Sequence, residues 1–243
     1  MNFNLLLLGV LVFGAIAPVA FYTFSNSEKS PASEKVMLTQ SKTEPSANSQ
    51  LTPLNQLKAN NQCIACNLAK ADLTQLDLSR ANLSQADLEQ VNFSQSQLVN
   101  AVLQQAQLSS AQLVEVNATG ADFGEANLSQ ADLTRSQLMQ INLSQANLDQ
   151  AILSEAELRE ASLNGATLQN AQLLQASLYG AILREANLSG ANLQDADLRY
   201  TDLTDANFKG ANLSGVQLEG AILPDGSNYS GSDDIIILSG DGQ

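Results

Sequence analysis

The chain has 243 residues and a formal charge of −14, and it contains neither Trp nor His. That balance excludes nucleic acid as a partner, because neutralising phosphate takes clustered Lys and Arg. The lack of His removes the commonest catalytic base and leaves the two cysteines unable to complete a zinc site. The apolar content of 44% is mostly Ala and Leu, with only 5% aromatic residues. A conventional core mixes shapes to fill irregular space, so this composition implies one packing environment used many times.

Residues Leu5 to Tyr22 (LLLLGVLVFGAIAPVAFY) carry no charge, and these 18 residues just suffice for a membrane-spanning helix. A cleavable leader would normally carry Lys or Arg in its first residues. Here MNFN has none, and the small-x-small site Ala15-Ile16-Ala17 is followed by Pro18. Residues 1–24 are therefore expected to form an uncleaved transmembrane anchor. Lys29, Lys35 and Lys42 follow the apolar run and, by the positive-inside rule, pull the remainder toward the cytoplasm. The cysteine pair pulls the other way, toward an oxidising compartment, and the extracytoplasmic side is the expectation.

Residues 25–50 are rich in Ser, Lys, Glu, Pro and Asn without apolar period, the composition of a disordered linker. Thr52-Pro53 then opens a short helical pattern with Leu51, Leu54 and Leu57. It belongs to a segment, 51–65, placed to cap a long periodic region.

From Cys66 to Asp225 the chain keeps a five-residue period without insertion. The central residue of each unit runs Leu68, Leu73, Leu78 and onward to Leu223. Of 32 centres 28 are Leu, three are Phe (Phe93, Phe123, Phe208) and one is Ala118. Two residues before the centre stands Ala in 23 of the 32 units, replaced elsewhere by small or apolar residues such as Cys66, Val91, Ser96 and Ile141. Between them lies mostly Asn, Asp or Gln, and the two positions after the centre are mostly polar or Gly. An α-helix would scatter residues five apart around its axis, and a flat strand would send them to alternate faces. A spacing of two, then three, then two puts Ala and Leu on one face of a short extended stretch and resets the phase at a corner. A chain that turns in the same sense every five residues closes into coils that stack.

The string Ala121-Asp122-Phe123, Ala126-Asn127-Leu128-Ser129, Ala131-Asp132-Leu133 resembles the A-(D/N)-L-x-x signature of pentapeptide-repeat proteins. The opening Cys63-Ile64-Ala65-Cys66-Asn67-Leu68 and the closing Leu223-Pro224-Asp225-Gly226-Ser227 also look like the ends of that family's repeat arrays. The resemblance implies an all-β, right-handed quadrilateral β-helix with four units per coil. Residues 66–225 would then make eight coils, stacked to roughly 40 Å at strand spacing. Residues 226–243 remain as a Gly/Ser/Asp tail with one strand-like run, Ile235 to Leu238.

Residues 20 apart would stack in columns on that fold. One column, Val99, Met139, Arg159, Tyr179 and Arg199, combines apolar, aromatic and Arg side chains, the types enriched at protein interfaces. Another collects Glu125, Glu185, Asp205 and Asp225, but Gln145 and Gly165 interrupt it. Cys63 falls on a centre and Cys66 on an Ala position, so the pair reads as a core plug or a disulfide. No catalytic, cofactor-binding or metal-binding residue stands out. The expected function is a non-enzymatic, membrane-anchored β-helical scaffold presenting a surface to an unknown protein partner, without cofactor or small-molecule substrate. The alternative comes from the resemblance: some pentapeptide-repeat proteins mimic DNA and bind a type II topoisomerase.

Overall fold

The computed structural model describes residues 52–231. The expected anchor and linker, Leu51 and the Ile235 to Leu238 run lie outside the described residues. Among the described residues no helix is long and apolar enough to cross a membrane.

The described chain opens with α1, Pro53–Asn60. Thr52 caps it, its side-chain oxygen accepting the Asn55 N–H at 3.3 Å, and Pro53 occupies the first turn, where its missing N–H costs nothing. Asn61 ends it in the left-handed conformation, φ 55°, donating its N–H to the Leu57 carbonyl at 2.9 Å. The buried side of this short helix is Leu57, fully enclosed, with Leu54 packed beside it on the shaft. Through these two leucines α1 packs on the core cluster of the solenoid.

Beyond α1, parallel one-residue bridges join each residue before a centre to the residue 20 further on, from Gln62↔Asn82 to Asp202↔Ile222. Twenty residues are four units, so each coil has four sides. The bridges never lengthen into strands because the chain turns at every fifth residue. In every unit from Lys70 to Gly220 the second residue after the centre has positive φ, 54–61° for the 24 that are not Gly, as at the third position of a type II turn.

In an interior unit with Asn or Asp before its centre, the period accounts for every backbone donor. In the unit Ala126 to Gln130, Ala126 N–H donates to Phe123 O across the turn (3.0 Å), and Asn127 N–H to Ala106 O in the coil before (2.9 Å). Leu128 and Gln130 donate to Asn147 O (2.7 Å) and Asp149 O (2.9 Å) in the coil after. Only the Ser129 N–H lacks a backbone acceptor, and the Asn127 side-chain oxygen takes it at 3.2 Å. The same bond recurs from Thr74 to Asp72, Ser144 to Asn142 and Ser189 to Asn187. Asn and Asp precede the centre because their short side chains reach the N–H two residues on.

All 32 centres are buried, and so are most of the Ala positions. Each enclosed Leu contributes about 1.5–3 kcal/mol. The buried hydroxyls at Ala positions bond backward within the turn, Ser136 to Leu133 O and Thr201 to Leu198 O, both at 2.6 Å. Ser96 Oγ is buried without a partner. At Ala118 the backbone does not deviate: its N–H reaches Gln137 O at 2.8 Å and its carbonyl accepts from Ala121 at 3.0 Å. Whatever compensates for the missing side chain is therefore side chain, not backbone.

The tail expected from residue 226 begins as structure. Leu223 N–H donates to Ser227 O (2.7 Å), and Tyr229 N–H to Ala221 O (2.9 Å). Ile222 and Asn228 pair antiparallel, and Tyr229 packs on the core. Pro224 contributes its carbonyl, which accepts the Asp205 N–H at 2.9 Å.

Candidate functional site

The column singled out in the sequence lies at the first turn residue after the centre, one residue from each coil. Four of its five members form one continuous strip. Arg159 and Arg199 place their guanidinium carbons 5.8 and 5.6 Å from the Tyr179 ring centroid, one from the coil before and one from the coil after. Cations over an aromatic face gain electrostatic attraction from the ring quadrupole. Shallow grooves run along the strip, one lined by Thr119, Met139 and Arg159, the next by Arg159, Ser177, Tyr179 and Arg199. Val99 lines neither, with Thr119 standing between it and Met139 in the column. Stacking also hides more of the strip than expected: Tyr179, Met139 and Arg199 are half-buried, and only Arg159 is exposed.

Two residues outside the column complete it. Tyr200 packs its ring 5.2 Å from that of Tyr179 at 58°, and is still 60% exposed. It can lie down there because the next residue in its own column is Gly220, where a Cβ would meet the Tyr200 ring at 2.6 Å. Asp197 precedes its centre, and its Oδ1 accepts the Arg199 N–H like any other Asp at that position (3.1 Å). It also holds the Arg199 guanidinium through Nε (2.8 Å) and Nη2 (2.7 Å). The Arg199 guanidinium keeps the Asp197 carboxyl below the usual carboxylate range, against its partial burial, and Arg199 is raised in turn. Arg159 has no such carboxylate fork, so its donors face outward. The sequence carried a signal for Tyr200 in Gly220 twenty residues on, but only once four units per coil are known.

Other faces carry ladders of polar side chains. Gln75, Gln95 and Glu115 bond in series, ending in the Arg135–Glu115 ion pair at 2.7 Å. Glu115 is lowered first by the Gln95 amide and then by Arg135. In the acidic column Glu125 accepts from Gln105 at 2.9 Å, which itself accepts from Gln85 at 3.0 Å. Among the described residues no three His, Cys, Asp or Glu side chains gather closely enough to hold a metal ion. Cys63 is fully buried, Cys66 partly, and a disulfide joins them where α1 meets the first coil.

No curated protein matches the sequence. Among solved structures, HetL, a pentapeptide repeat protein involved in heterocyst differentiation regulation in the cyanobacterium Nostoc, is 33% identical over 69% of this chain and 92% of its own, with a TM-score of 0.42. The plasmid-mediated fluoroquinolone resistance protein QnrB1 is 20% identical over 69% of this chain and 96% of its own, with a TM-score of 0.42. A pentapeptide repeat protein from the thylakoid lumen of Arabidopsis thaliana is 22% identical over 56% of this chain and 68% of its own, with a TM-score of 0.26. The family model for pentapeptide repeats matches eight copies, over residues 62–95, 96–135, 141–178, 161–199 and 186–223. With that match added to the 20-residue bridging register, the chain belongs to the pentapeptide-repeat family, and its four-sided coil is that family's right-handed quadrilateral β-helix.

Proposed function

We propose that this protein is a non-enzymatic scaffold, held at a membrane by residues 1–24, whose β-helix binds another protein through the Arg159–Tyr179–Arg199 strip. The observation that carries the reading is the strip itself. On a surface built mostly of amides, hydroxyls and carboxylates, where exposed apolar side chains such as Ile64, Ile152 and Ile182 stand apart, it brings together two tyrosines, a methionine and two arginines across successive coils. Arg and Tyr are the residues on which interfaces most often depend, because each couples a large contact area to a polar tip. The solenoid has already fixed their backbone, and the stacking fixes the side chains, so binding costs little further ordering. The apolar Leu5 to Tyr22 run supports the membrane tether, and the Cys63–Cys66 disulfide supports an oxidising, extracytoplasmic setting. DNA mimicry draws less support, since Arg135 and Arg184 pair with carboxylates on other faces and the acidic column is broken by Gln145 and Gly165.

The test is affinity capture from detergent-solubilised membranes with the full chain and with an Arg159→Glu/Tyr179→Ala variant. A partner retained by the first and lost by the second supports the strip; equal capture by both refutes it. Recovery of the full chain in the soluble fraction after cell lysis would refute the tether.

A further inference from the structure

Charge is not spread evenly along the solenoid. From residue 86 to residue 231 the sequence has 17 carboxylates against five basic side chains. In α1 and the first coil, residues 52–85, the balance is reversed, with Lys58, Lys70 and Arg80 against Asp72 and Asp77. These three basic side chains are exposed and none makes an ion pair, whereas Arg135, Arg184 and Arg199 further along all do. The two carboxylates are drawn back onto the chain, each accepting the N–H two residues on, from Thr74 at 3.1 Å and Ser79 at 3.0 Å. Lys and Arg carry their charge on long stems and reach past such short side chains.

The same end presents an apolar residue. Ile64 is 55% exposed, more than Ile152 at 38% or Ile182 at 41%. The Cys63–Cys66 disulfide closes the turn that holds it, and the Ala65 N–H donates to Ser84 O at 2.9 Å. Gln62 pairs with Asn82, so Ile64 stands one coil before Ser84, at the outer rim of the solenoid. Lys70 and Arg80 take two other corners of the first coil, each at the left-handed turn residue, and Lys58 lies in the last turn of α1. A firmly held apolar side chain among unpaired cations suits the boundary between anionic headgroups and acyl chains.

We propose that this end of the solenoid docks on an anionic lipid surface, with Ile64 entering the interface and Lys58, Lys70 and Arg80 binding headgroup phosphates. The inference rests on the reading that residues 1–24 hold the chain at a membrane, since that tether leads into the solenoid through α1. Weak docking suffices when a tether keeps a site close to its target. The negative potential of such a surface fades over about 8 Å at physiological ionic strength, less than two coil spacings of about 4.8 Å. It therefore acts most on α1 and the first coil, where cations are in excess, and what reaches the next coils repels their carboxylates. The solenoid then stands up from the membrane, and the Arg159–Tyr179–Arg199 strip stays clear of lipid.

The test is hydrogen–deuterium exchange of the full chain on vesicles of phosphatidylcholine alone and of phosphatidylcholine with phosphatidylglycerol, after flotation has shown which vesicles the chain joins. The N–H groups of Asn67, Asp72 and Asp77, which nothing among the described residues accepts, report contact at this end. Peptides covering 58–80 should exchange at least about threefold slower on the anionic vesicles, and the difference should vanish at about 0.5 M NaCl. It should vanish too in Lys58→Gln/Lys70→Gln/Arg80→Gln, where Gln suits the left-handed corner as Gln75 and Gln85 do, and shrink in Ile64→Ser. Lys209→Gln, in the last coil, should leave it unchanged. Peptides from 143–183 should keep one rate throughout and report that the solenoid is intact. A chain that floats with both kinds of vesicle but exchanges equally on them overturns the docking and leaves the tether standing. Flotation with anionic vesicles alone, abolished by the triple variant, supports the docking and overturns the tether. Flotation with neither overturns both.

Discussion

A single residue position shows how the repeat constrains its sequence. From Lys70 to Gly220 the second residue after each centre holds a left-handed backbone, and across those units it is Gln, Glu, Asp, Asn, Gly, Arg, Lys, Ser or Tyr, never Val, Ile or Thr. The left-handed region crowds Cβ against the following carbonyl, costing about 1–2 kcal/mol for an L residue and more when Cβ is branched. Val and Thr do occur one residue earlier, at Val99, Val114 and Thr134, where φ is ordinary. Gln175, exposed and at φ 57°, gives a clean comparison. Gln175→Ile should lower stability by about 1–2 kcal/mol relative to Gln175→Gly in denaturant unfolding; equal midpoints would show that the turn tolerates branching.

Two residues before centres, Asp72 and Asp77, and one at the closing turn, Asp225, yield a pH prediction. Hydrogen bonds hold Asp72, Asp77 and Asp225 below the ordinary carboxylate range, for Asp72 chiefly the Thr74 N–H, for the others the hydroxyls of Ser79 and Ser227. A carboxylate lowered in the folded state stabilises above its unfolded value, and that contribution disappears as pH falls through the folded value, here below about pH 4. Asn keeps the acceptor without titrating, as Asn127 does elsewhere in the solenoid. The triple variant Asp72→Asn/Asp77→Asn/Asp225→Asn should therefore lose less Tm than the parent between pH 7 and about pH 2.5. An equal loss would mean these bonds carry no acid sensitivity.

Within one coil, the distinction between shaft and surface sets the cost of a substitution. Leu143 is fully enclosed, and Leu143→Ala should destabilise by about 2–5 kcal/mol. Ser144 beside it is half-buried, and its hydroxyl lies 2.9 Å from that of Ser162 in the next coil. Ser144→Ala should then cost about 1 kcal/mol, the net worth of one hydrogen bond; a cost equal to that of Leu143→Ala would mean the frame is misassigned. Ala118 tests packing between neighbouring centres. Since the backbone holds its register there, the volume must come from side chains, and Phe123, the next centre, and Val116, the enlarged residue of the same wall, are the candidates at hand. Ala118→Leu should overpack by about 1–3 kcal/mol, Phe123→Leu should leave a cavity, and the double variant should recover stability through their coupling. Strict additivity would separate the ring from the gap.

For the solenoid as a whole, the five-residue frame made the fold legible because one error of phase anywhere would have put a polar residue in the shaft. The strip was legible only in part. Its column follows from the 20-residue register, but Tyr200 joins it by lying over Gly220, and Asp197 by taking both the N–H and the guanidinium of Arg199. Those contacts depend on rotamers across coils, which periodicity does not encode. Neither does it encode the ends, where the repeat stops and other residues must finish the core. A stack in which each coil touches only its neighbours has stability that is a sum of local terms, so damage at one end should stay there. Leu57 is the buried residue of α1, and Leu57→Asp would place a charge on the shaft of the first coil. Hydrogen exchange should accelerate at least about tenfold in peptides from 62–80, whose donors serve the second coil, as Cys63 does toward Asn82 O at 2.8 Å. Peptides from 143–183, several coils away, should keep their parent rates. Uniform acceleration along the solenoid would show instead that it opens as one cooperative unit, with the N-terminal cap controlling all of it.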